Sequence, residues 1–254
     1  ILQQVRSRKN IMVNYEKIII TLDGSAATGK SSLAKRLSNN LGYIHIDTGS
    51  MYRAATLFAL RLDPDRILRP EILIKYLSEI KIEFKNINRE ETIFLNNEDV
   101  SQEIRETYVT NEVSNVAKIP ELRTYLVNKQ KELGKYKGVV MDGRDIGTIV
   151  FPDAECKFFL RANVEVRAKR RYLEQLKSGN KQTYKEVLDN IITRDRLDTK
   201  RAISPLKKAA DAIEIDVSNI SLDEVFNKLL NHIKKINNIK INKKSDIIWS
   251  SNHY

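Results

Sequence analysis

Gly24-Ser25-Ala26-Ala27-Thr28-Gly29-Lys30-Ser31 is the stretch on which the reading of the fold turns. It follows the apolar run Ile18 to Leu22 and opens a helical pattern that continues through Leu41, so strand, glycine-flanked loop and helix come in the order of a P-loop. The glycines let successive backbone N–H groups turn inward around phosphate oxygens, and the helix directs its positive dipole end at the same anion. The motif predicts that Gly24, Ser25, Ala26, Ala27, Thr28, Gly29, Lys30, Ser31 and Ser32 bind a nucleoside triphosphate. Lys30 reaches the β- and γ-phosphates, and the Ser31 hydroxyl ligates Mg²⁺.

Working outward, 254 residues suffice for one large α/β domain or two small ones, with a sizeable buried core. A formal charge of +11 implies an anionic partner, which nucleotide phosphate, nucleic acid or a membrane surface would each satisfy. The single cysteine, Cys156, excludes a disulfide framework within the chain and Cys-based zinc, and fits a reducing cytoplasm. His45, His232 and His253 are scattered and read as packing or surface residues rather than metal ligands. No apolar run reaches bilayer length, and Ile1 to Lys17 carries charges where a signal peptide would be apolar. The expectation is a cytoplasmic protein.

Residues 1–14 read as a basic extension, with Met12 as the natural start, and residues 237–254 as a mobile Lys/Asn-rich tail. Between them strands and helices alternate, which predicts an α/β fold in which helices cover both faces of a parallel sheet. The expected strands are Ile18 to Leu22, Tyr43 to Ile46, Val139 to Met141, Lys157 to Leu160 and Ala212 to Ile215. The expected helices are Lys30 to Asn40, Ser50 to Leu62, Glu121 to Lys135, Val164 to Lys177, Tyr184 to Leu197 and Ser221 to Ile236. Lys81 to Phe84 and Thr92 to Leu95 instead alternate as a short hairpin. A lobe at about 68–119 is therefore expected, inserted into a single domain of residues 15–236.

A P-loop leaves the phosphoryl acceptor open. At the end of the second strand, Asp47 and Thr48 present short polar groups where open α/β sheets bind ligands, and Arg53 follows as a candidate monophosphate fork. A helix cap with a surface arginine would look the same. The third strand ends in Asp142-Gly143-Arg144-Asp145. Asp142 either orders Mg²⁺ water as a Walker B acid does or hydrogen-bonds the P-loop backbone. Arg144 is a candidate phosphate ligand, and Asp145 a candidate acceptor for the second nucleotide. Arg167, Arg170 and Arg171 on one helix, with Arg194, Arg196 and Arg201 around the next helix end, flank Lys177 to Lys181. That arrangement predicts a lid at about 164–183 which closes over phosphates, with Arg170 reaching the phosphoryl group.

Together these segments resemble the bacterial-type cytidylate kinases, a family of P-loop nucleoside monophosphate kinases, from about Ile18 to Leu230. The resemblance is carried by Asp23-Gly24 with the P-loop, by Asp47-Thr48-Gly49 with Tyr52-Arg53, and by Asp99-Val100-Ser101 with Glu103-Ile104-Arg105. Asp142 to Thr148 with Phe151-Pro152-Asp153-Ala154 follows, then Arg194-Asp195 with Asp198 and Arg201, and Pro205-Leu206. The Gly-Arg-Asp and Arg-Asp-x-x-Asp-x-x-Arg patterns are the specific part. The resemblance implies ATP as donor with Mg²⁺, CMP and dCMP as acceptors, a monomer, and no nucleic-acid or membrane partner. It implies that Arg53, Arg144 and Arg194 hold the acceptor phosphate or the group in flight, that Asp198 binds ribose, and that Ser114, Arg123, Asp145 and Arg201 form the pyrimidine pocket. The inserted lobe becomes an enlarged monophosphate-binding unit. Two departures stand out: Gly29-Lys30-Ser31-Ser32, where the family commonly has Gly-Lys-Gly-Thr or Gly-Lys-Ser-Thr, and the stretch beyond Ile236. The competing readings are a P-loop kinase for UMP, AMP or shikimate, and a nucleic-acid-dependent ATPase using the basic surface.

Overall fold

A computed structural model describes residues 16–87, 90–177, 179 and 182–250, with backbone alone at 86, 90 and 237–250. The expected extension at 1–14 and the last residues of the tail lie outside the described residues. So do Ser178, Asn180 and Lys181 of the expected lid.

The continuous apolar run before the P-loop forms strand β1 (Ile19–Gly24), buried at every position. It pairs in parallel with β6 (Val139–Gly143) on one side and β7 (Cys156–Arg161) on the other. β2 (Ile44–Asp47) and β8 (Ile213–Asp216) complete a parallel sheet in the order β2-β6-β1-β7-β8. Strands covered on both faces need apolar residues on both, which is why they read as unbroken hydrophobic runs rather than alternations. All five expected core strands are present, each within a residue or two of its expected limits.

Helix α1 (Lys30–Leu41) packs Leu33 and Leu37 with Val225, Phe226 and Leu229 of α8 (Leu222–Ser250) on one sheet face. The opposite face carries α2 (Thr48–Arg61), α4 (Thr107–Val116) and α5 (Pro120–Gly134). The insert also holds α3 (Pro70–Lys75) and an antiparallel sheet of β3 (Ile82–Ile87), β4 (Glu90–Leu95) and β5 (Glu98–Asp99). Asn96 and Asn97 link β4 to β5 with φ of 49° and 69°, the left-handed pair that suits a two-residue hairpin turn. Ile93, Leu95, Val100, Ile104 and Val109 of the insert share one apolar cluster with Ile46 and Met51 of the sheet layer. The lobe is thus an outgrowth of the same core.

Helices α6 (Val164–Lys177) and α7 (Tyr184–Thr199), on either side of the loop in the segment expected as a lid, pack together through Ala168, Val187 and Ile191. Thr183 and Glu186 form a capping box that starts α7. One expectation needs correction. The helical backbone of α8 runs on to Ser250 through the Lys/Asn-rich stretch that was read as a tail. No glycine or proline interrupts 222–250, so nothing in the local chain stops the helix.

Candidate active site

Parallel register brings the ends of β2, β6 and β1 to one edge, with Asp47 beside Asp142 and Asp23 beside Gly143. The P-loop leaves β1 there. Gly24 has φ of 152°, and a Cβ on it would lie 2.2 Å from the Leu160 carbonyl oxygen, so only glycine fits against β7. Gly29, with φ of 86°, turns the chain into α1. Thr28 Oγ1 and Lys30 Nζ both donate to the Ser25 carbonyl, at 3.1 and 2.9 Å. Ser32 sits exposed on the first turn of α1.

Burial, then the nearby Arg144, pulls the Lys30 ammonium down to about 7, against the opposing pull of Asp142 and Asp47. A phosphate beside Lys30 reverses that balance. Ser31 Oγ donates to Asp142 Oδ2 at 2.6 Å. Asp142 therefore meets the serine hydroxyl of the P-loop rather than its backbone.

Asp142 has a second partner. His45, buried on β2, places Nε2 2.8 Å from Asp142 Oδ1, while its Nδ1 forms a bent ion pair with Glu91 Oε2 of β4 at 2.9 Å. Burial opposes charge on the ring, but the two carboxylates win and push its pKa up to about 10. His45 is thus a buried packing residue, as its isolated position indicated, and one with two carboxylate partners.

Asp23 sits under the acceptor side. It accepts from Ile146 N at 2.9 Å and Gly147 N at 2.7 Å, which pins the start of the turn Ile146–Val150 and fixes the direction of Arg144 and Asp145 just before it. Burial raises the Asp23 carboxyl to about 7 in spite of those two donors. At β2's end, Asp47 both caps α2, accepting from Ser50 N at 3.0 Å, and holds Arg53 at 3.0 Å. The cap reading is realised in Asp47, which also orients the Arg53 side chain. Burial opposes the charge on Asp47, yet Arg53 and Ser50 keep its carboxyl well below the usual range. Thr48 Oγ1 braces the Asp142 carbonyl at 2.7 Å.

Arg144 Nε donates to Asp198 Oδ2 at 2.8 Å, and Arg201 approaches Asp198 Oδ1 at 3.7 Å. Arg194 is half-buried with its Nε enclosed, and desolvation together with Arg144 depresses its pKa to about 10. Arg194 Nε and Arg53 Nε are buried without a hydrogen-bond partner among the described residues. Guanidiniums left in that state call for an anion. Beyond them, Arg123 pairs with Asp145, both buried, and donates to the Ala117 carbonyl at 3.2 Å. Its guanidinium lies 5.4 Å from the centre of the Tyr52 ring. Burial first and Arg123 second lower the pKa of the neighbouring Arg201. Ser114 lies on the buried side of α4, just before the Ala117 turn.

One expected phosphate ligand stands apart. Arg170 donates to the Val217 carbonyl at 2.7 Å, where the chain leaves edge strand β8, and does not join the cluster. The free carbonyl at the strand end captures its guanidinium. Arg167, one turn earlier, is the lid arginine that meets the P-loop: it donates to the carbonyls of Ala162 and Ala26 and pairs with Asp195 at 2.6 Å. His45, Asp23 and Arg167 had no assigned role from sequence. Parallel register would have shown His45 diagonal to Asp142 on the same sheet face; for Arg167 the helical spacing gave only a choice among neighbours.

A loop that cradles one phosphate chain, facing a second set of buried cations that need an anion of their own, suits transfer between two anionic substrates. Fold and site together define a P-loop phosphotransferase. The Cytidylate kinase family model matches residues 20–235. The chain is 48% identical over 215 residues to the cytidylate kinase of Anoxybacillus flavithermus, covering 85% of this chain and 95% of that one. It is 48% identical over 227 residues to that of Flavobacterium psychrophilum (87% and 100%), and 46% over 221 residues to that of Bacillus cereus strain B4264 (87% and 98%). The chain belongs to the cytidylate kinase family, whose members are nucleoside monophosphate kinases. Among the described residues no helix is long and apolar enough to cross a membrane.

Proposed function

We propose that the protein carries the γ-phosphoryl of ATP to CMP and dCMP, giving CDP or dCDP and ADP. The observation that carries the choice of acceptor is the buried Arg123–Asp145 pair set between Tyr52 and Arg201. Cytosine presents acceptors at N3 and O2 beside a donor amino group, and guanidinium donors next to a carboxylate acceptor match that edge. Ser114 extends the pocket and Asp198 takes ribose hydroxyls.

The oxygens of Ser31 and Asp142 fit Mg²⁺, which keeps several waters and takes one or two protein oxygens alongside substrate phosphates. Ser31 would be the ligand, and Asp142 would hold a metal-bound water. The ion supplies charge to the β- and γ-oxygens. Lys30 and the loop N–H groups hold the donor, while Arg53, Arg144 and Arg194 align the acceptor phosphate. An acceptor oxygen, already anionic at neutral pH and in need of no general base, attacks the γ-phosphorus in line. The bond from that phosphorus to the β–γ bridging oxygen breaks, and ADP leaves. Rate then comes from alignment and from water exclusion as α6 and α7 close. Arg170 enters this scheme only if closure releases it from Val217. The same reading makes the protein a cytoplasmic monomer that works on free nucleotides, without nucleic acid or membrane.

Arg201→Met and Arg123→Met test the acceptor pocket, since each lost hydrogen bond in a dry pocket costs about 1–3 kcal/mol. KM for CMP is expected to rise about tenfold or more with KM for ATP little changed, and Ser114→Ala to act in the same direction more mildly. A shift in ATP affinity with CMP untouched would remove the pocket assignment.

A further inference from the structure

A chain of four side chains, Glu91, His45, Asp142 and Ser31, crosses from the inserted lobe to the P-loop, and no substrate contact assigned above requires its first two members. Each link is short: 2.9 Å from Glu91 Oε2 to His45 Nδ1, 2.8 Å from His45 Nε2 to Asp142 Oδ1, and 2.6 Å from Ser31 Oγ to Asp142 Oδ2. The Nε2 link to Asp142 has hydrogen-bond geometry, while the Nδ1 link to Glu91 is an ion-pair contact without it. The His45 side chain is 7% exposed and Asp142 2%, whereas Glu91 on the hairpin is 24% exposed. Asp142 is thereby held at both oxygens, one by the donor site and one by a residue that answers to the lobe.

We propose that His45 is a positioning residue that sets the plane of the Asp142 carboxylate for the donor metal site and, through Glu91, makes that setting depend on how the inserted lobe is seated. The proposal rests on the kinase reading above. Its physical basis is that a carboxylate with one hydrogen-bonded oxygen can rotate about its Cβ–Cγ bond, while one gripped at both oxygens cannot. Outer partners of this kind typically govern metal affinity by about 10–100-fold. The lobe carries the acceptor pocket through Ser114 and the turn at Ala117, so the relay gives the acceptor side a mechanical route to the donor side.

The test is calorimetric titration of ADP, with Mg²⁺ and again with EDTA, into the full chain and its variants His45→Phe and Glu91→Gln, accompanied by melting curves and kcat. Binding of ADP needs no acceptor, so the outcome is independent of whether CMP is the substrate. The factor by which Mg²⁺ tightens ADP is expected to fall about tenfold in His45→Phe and severalfold in Glu91→Gln, with affinity in EDTA unchanged. The double variant should show no further loss beyond His45→Phe. Should His45→Phe not fold, Glu91→Gln decides alone, since that residue is partly exposed and its shape is kept. A lowered melting temperature with the Mg²⁺-dependent factor and kcat intact would make His45 a mere staple between lobe and core, and the proposal would be wrong.

Discussion

Lys30, Arg53, Arg144 and Arg194 crowd a small volume, and the cost of that crowding is visible in Lys30, which burial and Arg144 bring to about 7, and in Arg194, brought to about 10. Arg53 and Arg144 are paired with Asp47 and Asp198, and the desolvated Lys30 and Arg194 beside them stabilise negative charge that develops next to them. Lys30→Ala should therefore lower kcat and kcat/KM together while the fold stays intact, because the ammonium meets charge that grows on the transferring phosphates; near-normal turnover would undo the P-loop assignment. Arg194→Ala is expected to lower kcat by about 10²-fold or more, as arginines that reach a phosphoryl group are worth on the order of 10³. Steady-state rates across both variants check this. His45 supplies a different signature. Its pKa rises from 6.5 unfolded to about 10 folded, so its stabilising contribution is complete below about 6.5 and is lost as pH climbs through 10. Lys30, lowered from 10.5 to about 7, contributes a slope of opposite sign over the same window, so the readout is the difference between chains. Urea melts between pH 6.5 and 10 should show the stability advantage of the parent over Glu91→Gln, where one of the two carboxylates that raise the His45 pKa is gone, shrinking as pH rises; a constant difference would separate the effect from His45.

At the scale of elements, the P-loop owes its shape to a steric fit as much as to glycine flexibility. Gly24→Ala puts a methyl into the β7 backbone at Leu160, and Gly143→Ala would meet Ile146 and Thr48 at 2.6 Å. Both are expected to destabilise by about 1–3 kcal/mol, read as a shift of denaturation midpoint, and the Gly24 variant should also weaken ATP. The central strand was the most legible because Ile18 to Leu22 is an apolar run, Thr21 apart, buried at every position, while edge strands β2 and β8 are exposed at some positions. Helix α4 was not legible. Its buried Val109, Val113 and Val116 have helical spacing, but β-branched residues between polar ones are weak helix formers, and packing against α2 rather than propensity holds them. In the expected lid the helix was legible, while the partners of its arginines were not. Spacing puts Arg167 and Arg170 on one helix face, yet only the tertiary structure decides that Ala26 receives one guanidinium and Val217 the other. Arg167→Ala should consequently loosen ATP by removing the tie between lid and loop, seen as a raised KM for ATP larger than that of Arg170→Ala.

For the whole molecule, the apolar cluster that runs unbroken from Met51 into Ile93 and Val109 means that the inserted lobe and the sheet unfold together. A single cooperative transition by both fluorescence and far-UV dichroism is the expected melt; two separated transitions would make the lobe an independent unit. In the proposed function, what joins sheet edge, lobe and lid is the acceptor: Arg144 and Asp145 follow β6, Ser114 comes from α4, Arg123 from α5, and Arg194 and Arg201 from α7 and its end. The positions of these groups in the chain carried the family pattern, while their convergence on one pocket depends on strand register and helix packing that no local segment encodes. The most direct measurement is initial rate of ADP release, in a coupled assay with ATP and Mg²⁺, across CMP, dCMP, UMP, AMP, GMP and shikimate. The account predicts CMP and dCMP well above UMP, with AMP, GMP and shikimate near background, because the donors of Arg123 and the acceptor of Asp145 match the hydrogen-bonding edge of cytosine. AMP as the best acceptor, or ADP release stimulated by nucleic acid and by none of the monophosphates, would contradict it.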